Sequence, residues 1–439
     1  MFETLRNVFK VEDLRKRIFF TFLMLIVIRI GSQLPVPGVD RDVFTQWFSG
    51  QSTDAFNFFN SITGGSFEQM SVFALNITPY ITASIIMQLL TIAIPALEEM
   101  HKDGEEGRKK IIAITRYTTI GLSVIEGAAL AIGFGRSGYL TKFNAIYVIA
   151  VIAILTAGSA ILMWIGEQIT EYGVGNGISI VLTINIISRI PNDLASLWNQ
   201  FVVGKNFGRG AVAVLIIAGI ILLTVVLVVF LQDATRKIPV QYSRKIQGRK
   251  QVGGQTTYIP LRVNTAGVIP VIFAQSLMQT PVIIATLAGK TGGTGFWGKV
   301  LTLLSQSNWC DPQKPIYSLG LILYLLLIVA FAYFYTSITF NPLEVADNMK
   351  KQGGFIPGIR PGKPTSDYLE SILNKIIFIG AVGLSIVSVI PIFFNGIFGA
   401  SVSFGGTSII IIVGVIIETV KQIESRMVTR HYKKGFLGE

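Results

Sequence analysis

Charged residues are scarce in this chain. Asp, Glu, Lys and Arg make up 14% of its 439 residues, whereas soluble domains carry about 25%. Hydrophobic residues make up 51%, and they form repeated runs of about 20, the length that a helix needs to cross a bilayer. The composition therefore argues against a soluble protein and predicts an all-α polytopic membrane protein.

Cysteine and histidine are also scarce. Cys310 is the single cysteine, so the chain cannot form an intrachain disulfide. With only His101 and His431, a histidine metal site is not expected. The zinc-protease, nucleophile-elbow and kinase signatures are missing, and the glycine patterns at 133–138 and 289–291 follow membrane runs, where nucleotide-binding loops do not occur. We therefore expect no enzyme and no cofactor.

The apolar runs predict ten spans, at residues 17–34, 71–95, 111–134, 145–165, 178–198, 210–231, 266–288, 316–340, 371–394 and 404–421. The first run lacks a cleavage pattern after Met1 to Lys16, so we interpret it as a retained span. An even number of spans places both termini on one side. Because the loops on that side hold most of the Lys and Arg, both termini are predicted to be cytoplasmic.

The second predicted span begins poorly, since Gly64-Gly65, Glu68, Asn76 and Pro79 occupy its first half. Unsatisfied backbone at membrane depth costs several kcal/mol unless protein or water covers it. A similar cassette recurs downstream: Pro79-x-Ile81-x-Ala83 with Met87-Gln88 reappears as Pro270-x-Ile272-x-Ala274 with Met278-Gln279. The repeat predicts two interrupted helices facing a central aqueous cavity, in inverted pseudo-symmetric halves at 1–200 and 201–439.

Three long connections carry further signals. The outward segment 31–71 contains an apolar patch at 56–63, which predicts either a short helix that folds back as a stopper or a helix lying on the bilayer. The cytoplasmic loops 232–264 and 341–370 are rich in Lys and Arg, and the second contains the rigid turn Pro357 to Gly362. They are expected to dock a charged partner such as RNA or an acidic protein groove, or else to contact lipid headgroups.

Ionisable residues within spans are typical of ion-coupled transporters. The candidates are Arg29, Arg116, Glu126, Glu167 and Glu418, and most of them lie near span ends. Only Glu126 is expected to lie deep, where a structural hydrogen bond explains it as well as coupling does. A secondary transporter for a small solute therefore remains a second candidate.

Short motifs along the chain together resemble the SecY family, the channel subunit of the bacterial protein-translocation machinery. Those in the first half are Arg29-Ile30-Gly31, Pro35-Val36-Pro37-Gly38, Phe73-Ala74-Leu75, Pro79 to Ile86, Gly104-Glu105-x-Gly107-Arg108-Lys109, Gly166 to Glu171 and Gly175 to Ser179. Those in the second half are Ala266 to Pro270, Phe340-Asn341-Pro342, Ala346-Asp347-Asn348, Pro357 to Gly362 and Phe404 to Ser408.

This resemblance implies a channel that translocates unfolded secretory polypeptides across the bacterial cytoplasmic membrane and releases membrane segments laterally into lipid. It implies a clamshell of spans one to five and six to ten, an hourglass pore, and a lateral gate between the second and third and the seventh and eighth spans. The implied partners are SecE, often SecG, the SecA motor, the ribosome, signal sequences, nascent polypeptides and membrane lipids. The channel reading implies no small-molecule substrate.

The resemblance also assigns residues. The pore ring is expected at Ile77, Ile81, Ile178, Leu182, Ile272 and Ile411, and the plug within about 55–69, at Phe58, Phe59, Asn60, Ile62, Gly64, Gly65 and Phe67. Docking is expected at Arg244, Arg249, Lys250 and Arg360, and the lateral gate at Thr82, Gln88, Thr118, Gln275 and Ser276. Helical spacing supports the paired ring positions, because residues i and i+4 share a face; ordinary bundle packing is the alternative. Glu126 departs from the family pattern and is assigned no function.

Overall fold

The computed structural model describes residues 11–50, 60, 62–136, 138, 140, 142–203, 207–242, 245–247, 250–252, 256–287, 295–310, 315–398 and 406–436. The predicted plug residues Phe58 and Phe59 lie outside these ranges, as do the predicted docking residues Arg244 and Arg249.

Helices dominate the described chain, and one lies at each predicted span. They are α1 (Glu12–Gly31), α2 (Arg41–Gly50), α3 (Thr78–Ala93), α4 (Pro95–Lys102), α5 (Gly104–Arg136), α6 (Ala145–Tyr172), α7 (Gly177–Phe201), α8 (Phe207–Asp233), α9 (Ile269–Leu287), α10 (Phe296–Leu304), α11 (Leu319–Thr339), α12 (Pro342–Lys351), α13 (Lys363–Phe398) and α14 (Gly406–Phe436).

Six helices of the described residues are long and apolar enough to cross a membrane. The number is seven if Thr78–Ala93 and Pro95–His101, which are bent by 105°, form one broken span. The predicted class, a mainly helical multi-pass membrane protein, is therefore confirmed. The full count of ten spans stays a prediction.

Local sequence explains several helix ends. The Asn144 side chain accepts a hydrogen bond from the Ala145 N–H (2.8 Å) at the start of α6, and Asn341 accepts one from the Leu343 N–H (3.1 Å) at the start of α12. Such caps satisfy N–H groups that lack a partner in the first turn. Pro342, the first residue of α12, loses no helical hydrogen bond there.

A small sheet joins the two predicted cytoplasmic loops. Its strands β1 (Thr235–Tyr242) and β4 (Thr256–Arg262) are antiparallel with Ile238 opposite Ile259, and β5 (Gly354–Phe355) pairs with the other edge of β1. Strands β2 (Lys245–Gln247) and β3 (Lys250–Val252) form a separate two-stranded ladder. The sequence patterns did not predict this sheet, because their signal was charge and not alternation.

The chain divides into two compact units. The first contains Met1–Ser196, Pro281–Lys299 and Val415–Glu439, and the second contains Leu197–Thr280 and Val300–Gly414. The first has a core that includes Phe44, Phe67, Leu75, Phe134 and Leu155. The largest core cluster of the second includes Val228, Val271, Tyr324, Leu384 and Ile410. The predicted division into halves at residue 200 stays a prediction.

Candidate functional site

The turn segment, residues 64–77, precedes α3 and contains no α-helix. Its backbone has positive φ at Gly64 (+66°), Gly65 (+85°), Met70 (+42°) and Asn76 (+52°). Such φ values are uncommon for a residue with a Cβ and persist only where the surroundings hold them. The structure thus shows that the second predicted span, 71–95, becomes helical only at Thr78, and that the irregular stretch before it has a defined conformation.

An ion pair holds the N-terminal part of the turn segment. Glu68 Oε2 lies 2.7 Å from Arg189 Nη1 of α7 and also accepts a hydrogen bond from Asn60 Nδ2 (2.8 Å). The Glu68 N–H donates in return to Asn60 Oδ1 (3.1 Å). The Glu68 and Arg189 side chains are only 26% and 17% exposed. Removing one partner of so sheltered a pair leaves the other charge poorly solvated.

Buried amides hold the C-terminal part of the turn segment. Asn76 Nδ2 donates to the Ile62 carbonyl (2.9 Å), and Asn76 Oδ1 accepts from Asn185 Nδ2 of α7 (3.0 Å). The Asn76 carbonyl accepts from Ser159 Oγ of α6 (3.1 Å). All three polar side chains, those of Asn76, Asn185 and Ser159, are buried. These contacts satisfy groups that would otherwise cost about 1–3 kcal/mol each, and they explain the positive φ at Asn76.

Apolar packing fixes the same segment to the first core. The buried Phe67 ring lies 6.1 Å from Phe44, 6.0 Å from Phe48 and 6.3 Å from Phe134, centroid to centroid. Edge-on aromatic contacts of this kind add about 0.5–1.5 kcal/mol beyond area burial. The turn segment is therefore an ordered part of the first unit.

Glycine is required where this segment meets α7. A Cβ placed on Gly64 would lie 2.6 Å from the Asn185 carbonyl oxygen and 2.8 Å from Ser188 Oγ. Together with its positive φ, this contact excludes a larger side chain without a backbone shift.

Four predicted pore-ring residues lie in the first unit. Ile77 is fully buried just before α3, and the Ile81 N–H donates to the Ile77 carbonyl (3.1 Å) one turn later. Ile178 and Leu182 are likewise one turn apart on α7, and Leu182 is buried. Each pair is thus one helical turn apart in the structure, and its place in a pore ring stays a prediction.

The other two predicted ring residues lie in the second unit. Ile272 is partly buried near the start of α9, where its N–H donates to the Val268 carbonyl (3.3 Å). Ile411 is buried on α14. That the six side chains form one ring stays a prediction.

The predicted gate residues of the first unit lie on two helices that pack against each other, α3 and α5. Thr82 and Thr118 both donate to carbonyls of their own helix, those of Thr78 (3.1 Å) and Ile114 (2.9 Å). Gln88 is partly buried. These hydroxyls are satisfied locally and need no partner from another helix.

In the second unit, α9 packs on α11 through the edge-to-face rings of Phe273 and Phe331, whose centroids lie 5.5 Å apart. Gln275 is buried and donates to Gln306 Oε1 (3.0 Å), whereas Ser276 is exposed. The helices that carry these residues thus pack in pairs within each unit, and the gate stays a prediction.

The second unit also carries an exposed basic surface. Arg236 and Lys237 are exposed on β1, and Arg360 is exposed in a turn between Gly358 (φ +83°) and Gly362 (φ +101°). The Arg360 carbonyl accepts from Thr365 Oγ1 (2.8 Å), which ties the turn to α13. A core that includes Ile238, Val240, Leu261, Met349, Ile356 and Leu369 lies beneath the sheet. The arginine is thus presented on a rigid base; Lys250, the other described docking residue, belongs to β3.

Sequence reasoning missed the polar side chains of α7. Asn185, Ser188 and Arg189 were not singled out, although all three contact the turn segment. Their spacing of i, i+3 and i+4 places them on one helical face. The available signal was a set of polar residues on one face of an otherwise apolar span, together with a carboxylate, Glu68, and an amide, Asn76, in another span.

A family model described as SecY matches residues 71–420. The chain belongs to the SecY family. It is 44% identical over 444 residues to the protein translocase subunit SecY of Halalkalibacterium halodurans and 44% identical over 447 residues to that of Bacillus subtilis. Each match covers 100% of both chains.

Solved structures share the SecY fold at lower identity. The structure of a protein conducting channel has a TM-score of 0.64 and 18% identity, and it covers 95% of this chain and 93% of that one. Sec61 in the canine ribosome-channel complex from the endoplasmic reticulum has a TM-score of 0.62 and 17% identity, with the same coverage. At 18% and 17% identity, these similarities show that the fold is shared and no more than that.

Proposed function

We propose that this chain is the protein-conducting channel subunit of a translocase. It passes unfolded secretory polypeptides across the bacterial cytoplasmic membrane and releases membrane segments laterally into lipid. The observation that carries the proposal is the irregular start of the second span, whose polar groups are held by hydrogen bonds inside the protein and which leads directly into Ile77 and Ile81. Irregular backbone at membrane depth is tolerated where it is buried or lines a water-filled path.

In this proposal, Ile77, Ile81, Ile178, Leu182, Ile272 and Ile411 form the constriction. All are branched aliphatic residues. A narrow apolar collar dewets and stops ions, and its side chains can still move aside for a polypeptide. Because it offers no charge or hydrogen bond, it holds no particular substrate residue in place.

The plug extends over about 55–69 and closes the path from the outer side. Among its described residues, Asn60 and Ile62 bond to Glu68 and Asn76 of the turn segment. Gly64, Gly65 and Phe67 belong to that segment, and Phe67 packs in the first core. The gate residues Thr82, Gln88, Thr118, Gln275 and Ser276 lie along the route by which a membrane segment leaves for the lipid.

The basic surface of the second unit docks the cytosolic partner. Arg360, on its rigid turn, and Arg244, Arg249 and Lys250 contact the SecA motor or the ribosome. Pre-organised arginines lose little conformational entropy when they bind an anionic surface. SecE and SecG complete the complex, and both termini of the chain are cytoplasmic.

The test is transport by the purified complex in sealed vesicles. The proposal predicts that a secretory precursor becomes protected from protease only when SecA and ATP, or a translating ribosome, are supplied. An empty pathway should accumulate no small solute under an ion gradient. Solute uptake driven by a gradient alone, with no precursor movement, would instead identify a secondary transporter.

A further inference from the structure

A groove of about 790 Å³ lies in the second unit, on the surface that α11 and α13 share. Tyr333 lines it from α11, and the N-terminal half of α13 supplies the rest of the lining, from Asp367 to Ile379. The groove is open, and its lining combines charged, hydroxyl, amide and apolar side chains. No residue assigned to the pore, the plug, the gate or docking lines it, so the proposed channel function leaves the groove unexplained.

The walls of the groove are held in place. Tyr333 Oη donates a hydrogen bond to the Asn374 carbonyl (3.2 Å), which ties α11 to α13 at the groove itself. Behind the lining, Ala332 of α11 packs with Leu373 and Ile377 of α13 in a buried core cluster. The lining side chains thus project from two helices that are fixed to each other, and a ligand would lose little affinity to reorganising them.

Charge and polarity change in a fixed order along the groove. Asp367 and Glu370 come first, one turn apart at i and i+3 on α13. Lys375 follows about 7.5 Å beyond Glu370 along the helix axis, since each residue adds about 1.5 Å. Phe378 and Ile379 come last, and they are 55% and 61% exposed. The groove therefore runs from two carboxylates, past one ammonium group, to an apolar end.

The three charged side chains lack partners within the described part of the chain. None of Asp367, Glu370 and Lys375 forms an ion pair or a side-chain hydrogen bond there. The predicted span 371–394 begins within the groove, which places the apolar end in the hydrocarbon and the carboxylates in the headgroup layer. Charges so close to hydrocarbon are stabilised by opposite charges. A matching ligand carries a cation at its outer end, an anion next and an apolar part last.

We propose that the groove binds a phospholipid with a primary ammonium headgroup, the chemistry of phosphatidylethanolamine. In such a lipid the ammonium is outermost, the phosphate is next and the acyl chains are deepest, which is the order that the groove requires. The ammonium donates charge-assisted hydrogen bonds to the Asp367 and Glu370 carboxylates. Lys375 reaches the phosphate along its flexible stem, and an acyl chain lies on Phe378 and Ile379.

Other common headgroups fit this groove less well. A choline headgroup has the same charges, but its quaternary ammonium has no N–H to donate to the carboxylates. An anionic glycerol headgroup has no cation and would bring further negative charge to Asp367 and Glu370. The preference therefore depends on the carboxylates, whereas Lys375 contributes to the binding of any phospholipid.

The test is lipid binding by the full complex in detergent, measured by native mass spectrometry. Phosphatidylethanolamine, phosphatidylcholine and phosphatidylglycerol with identical acyl chains are titrated separately. The unmodified complex should bind one phosphatidylethanolamine at least about tenfold more tightly than either other lipid, because a hydrogen bond to a charged group contributes at least about this factor. Asp367→Asn with Glu370→Gln should reduce this affinity to that for phosphatidylcholine. Lys375→Gln should weaken the binding of both zwitterionic lipids by a similar factor.

Two further variants control for general damage. Asp367→Glu with Glu370→Asp keeps both carboxylates and should keep the preference. Glu344→Gln with Asp347→Asn removes an exposed pair of carboxylates at the same i, i+3 spacing on α12, outside the groove, and should also keep it. Thermal unfolding without added lipid should be similar for all variants, since every substituted residue is exposed.

Photocrosslinking locates the bound lipid. A photoreactive phenylalanine derivative is placed at Ser371, an exposed residue that lines the groove, and the complex is reconstituted in vesicles with equal amounts of phosphatidylethanolamine and phosphatidylcholine. The derivative should form its adduct mainly with phosphatidylethanolamine. At Phe230, which is exposed on the apolar α8, it should capture both lipids without preference.

These outcomes are independent of the proposed channel function, because lipid binding is measured without transport. No preference for phosphatidylethanolamine in the unmodified complex, or a preference that survives Asp367→Asn with Glu370→Gln, would overturn the lipid site. Loss of the preference in the α12 control would overturn it too. Adducts at Ser371 with a polypeptide of the complex alone would show that the groove is a protein contact and would also overturn the proposal.

Discussion

The two proline cassettes have similar backbones but different attachments. Pro79 and Pro270 are each the second residue of their helix, α3 and α9. Three positions earlier, Asn76 and Gly267 both have positive φ, +52° and +65°. Beyond each proline, the corresponding residues Ala83 and Ala274 are fully buried, and Met87 and Met278 are almost fully buried. The sequence repeat is therefore also a structural repeat.

The difference lies before the proline. A Cβ on Gly267 would meet nothing within 4 Å, and the chain enters the second cassette from β4, where the Val263 N–H donates to the Ala234 carbonyl (2.9 Å). The first cassette follows the turn segment, and its Asn76 makes side-chain bonds to Ile62 and Asn185. One cassette is anchored by a strand and the other by polar side chains. This asymmetry suits a channel in which the second cassette stays fixed and the first cassette can be released from its hydrogen-bond partners.

The largest expected effect comes from Gly64→Val, compared with Gly267→Ala. Valine at Gly64 combines a positive φ with a collision against the Asn185 backbone, and should lower the free energy of unfolding by about 3 kcal/mol. Alanine at Gly267 has the φ cost alone, about 1 kcal/mol. Thermal unfolding of the purified complexes and resting conductance measure both. Equal destabilisation by the two variants would show that the two cassettes tolerate a side chain at these glycines equally well.

The next effect comes from Asn76→Gly. Glycine keeps the positive φ at low cost but removes the hydrogen bonds to Ile62 and Asn185. We therefore expect the free energy of unfolding to fall by about 1–3 kcal/mol and the resting channel to leak ions. Asn76→Ala should cost more, because it adds backbone strain. Conductance and thermal unfolding are measured for both variants. A tight, stable Asn76→Gly channel would remove the proposed asymmetry between the cassettes.

Sequence alone predicted much of this comparison. The glycine pair, Glu68 and Pro79 identified the interruption, because such residues cannot form an ordinary span. The pairing of Glu68 with Arg189 could not be predicted, since it depends on which face of α7 meets the turn segment. Likewise, the charge of the loops predicted to be cytoplasmic indicated an exposed basic surface, but the pairing of β1 with β5 joins strands far apart in sequence.

The pore ring sharpens the comparison because three of its six predicted members lie beside the two prolines: Ile77 and Ile81 flank Pro79, and Ile272 follows Pro270. Serine at several of Ile77, Ile81, Ile178, Leu182, Ile272 and Ile411 should raise ion leakage while translocation continues, since an apolar collar stops ions by dewetting. Ile28→Ser, at a buried position on α1, is the control for ordinary bundle packing: it should destabilise the fold without raising conductance. Ion-tight ring variants would contradict the assignment.

Crosslinking tests the ring independently. In a Cys310→Ser background, which removes the single native cysteine, cysteines at Ile81 and Ile272 should both crosslink to a polypeptide stalled in the channel. A cysteine at Phe230, which is 77% exposed on the apolar α8, should not. Crosslinks from Phe230 alone would place the polypeptide outside the ring.

The smallest effect on stability is expected from Arg360→Glu. Because Arg360 is exposed, the free energy of unfolding should change by no more than about 0.5 kcal/mol, yet transport driven by the motor or the ribosome should stop as the partner no longer docks. Lys16→Glu, at an exposed position in the first unit, is the matched charge reversal and should transport normally. Resting conductance should stay unchanged in Arg360→Glu, whereas Asn76→Gly should leak without losing partner binding. This opposite pattern would show that the second unit docks the partner and that the first unit seals the channel. An Arg360→Glu channel that leaks, or that still transports, would show that the basic turn is not the proposed docking element.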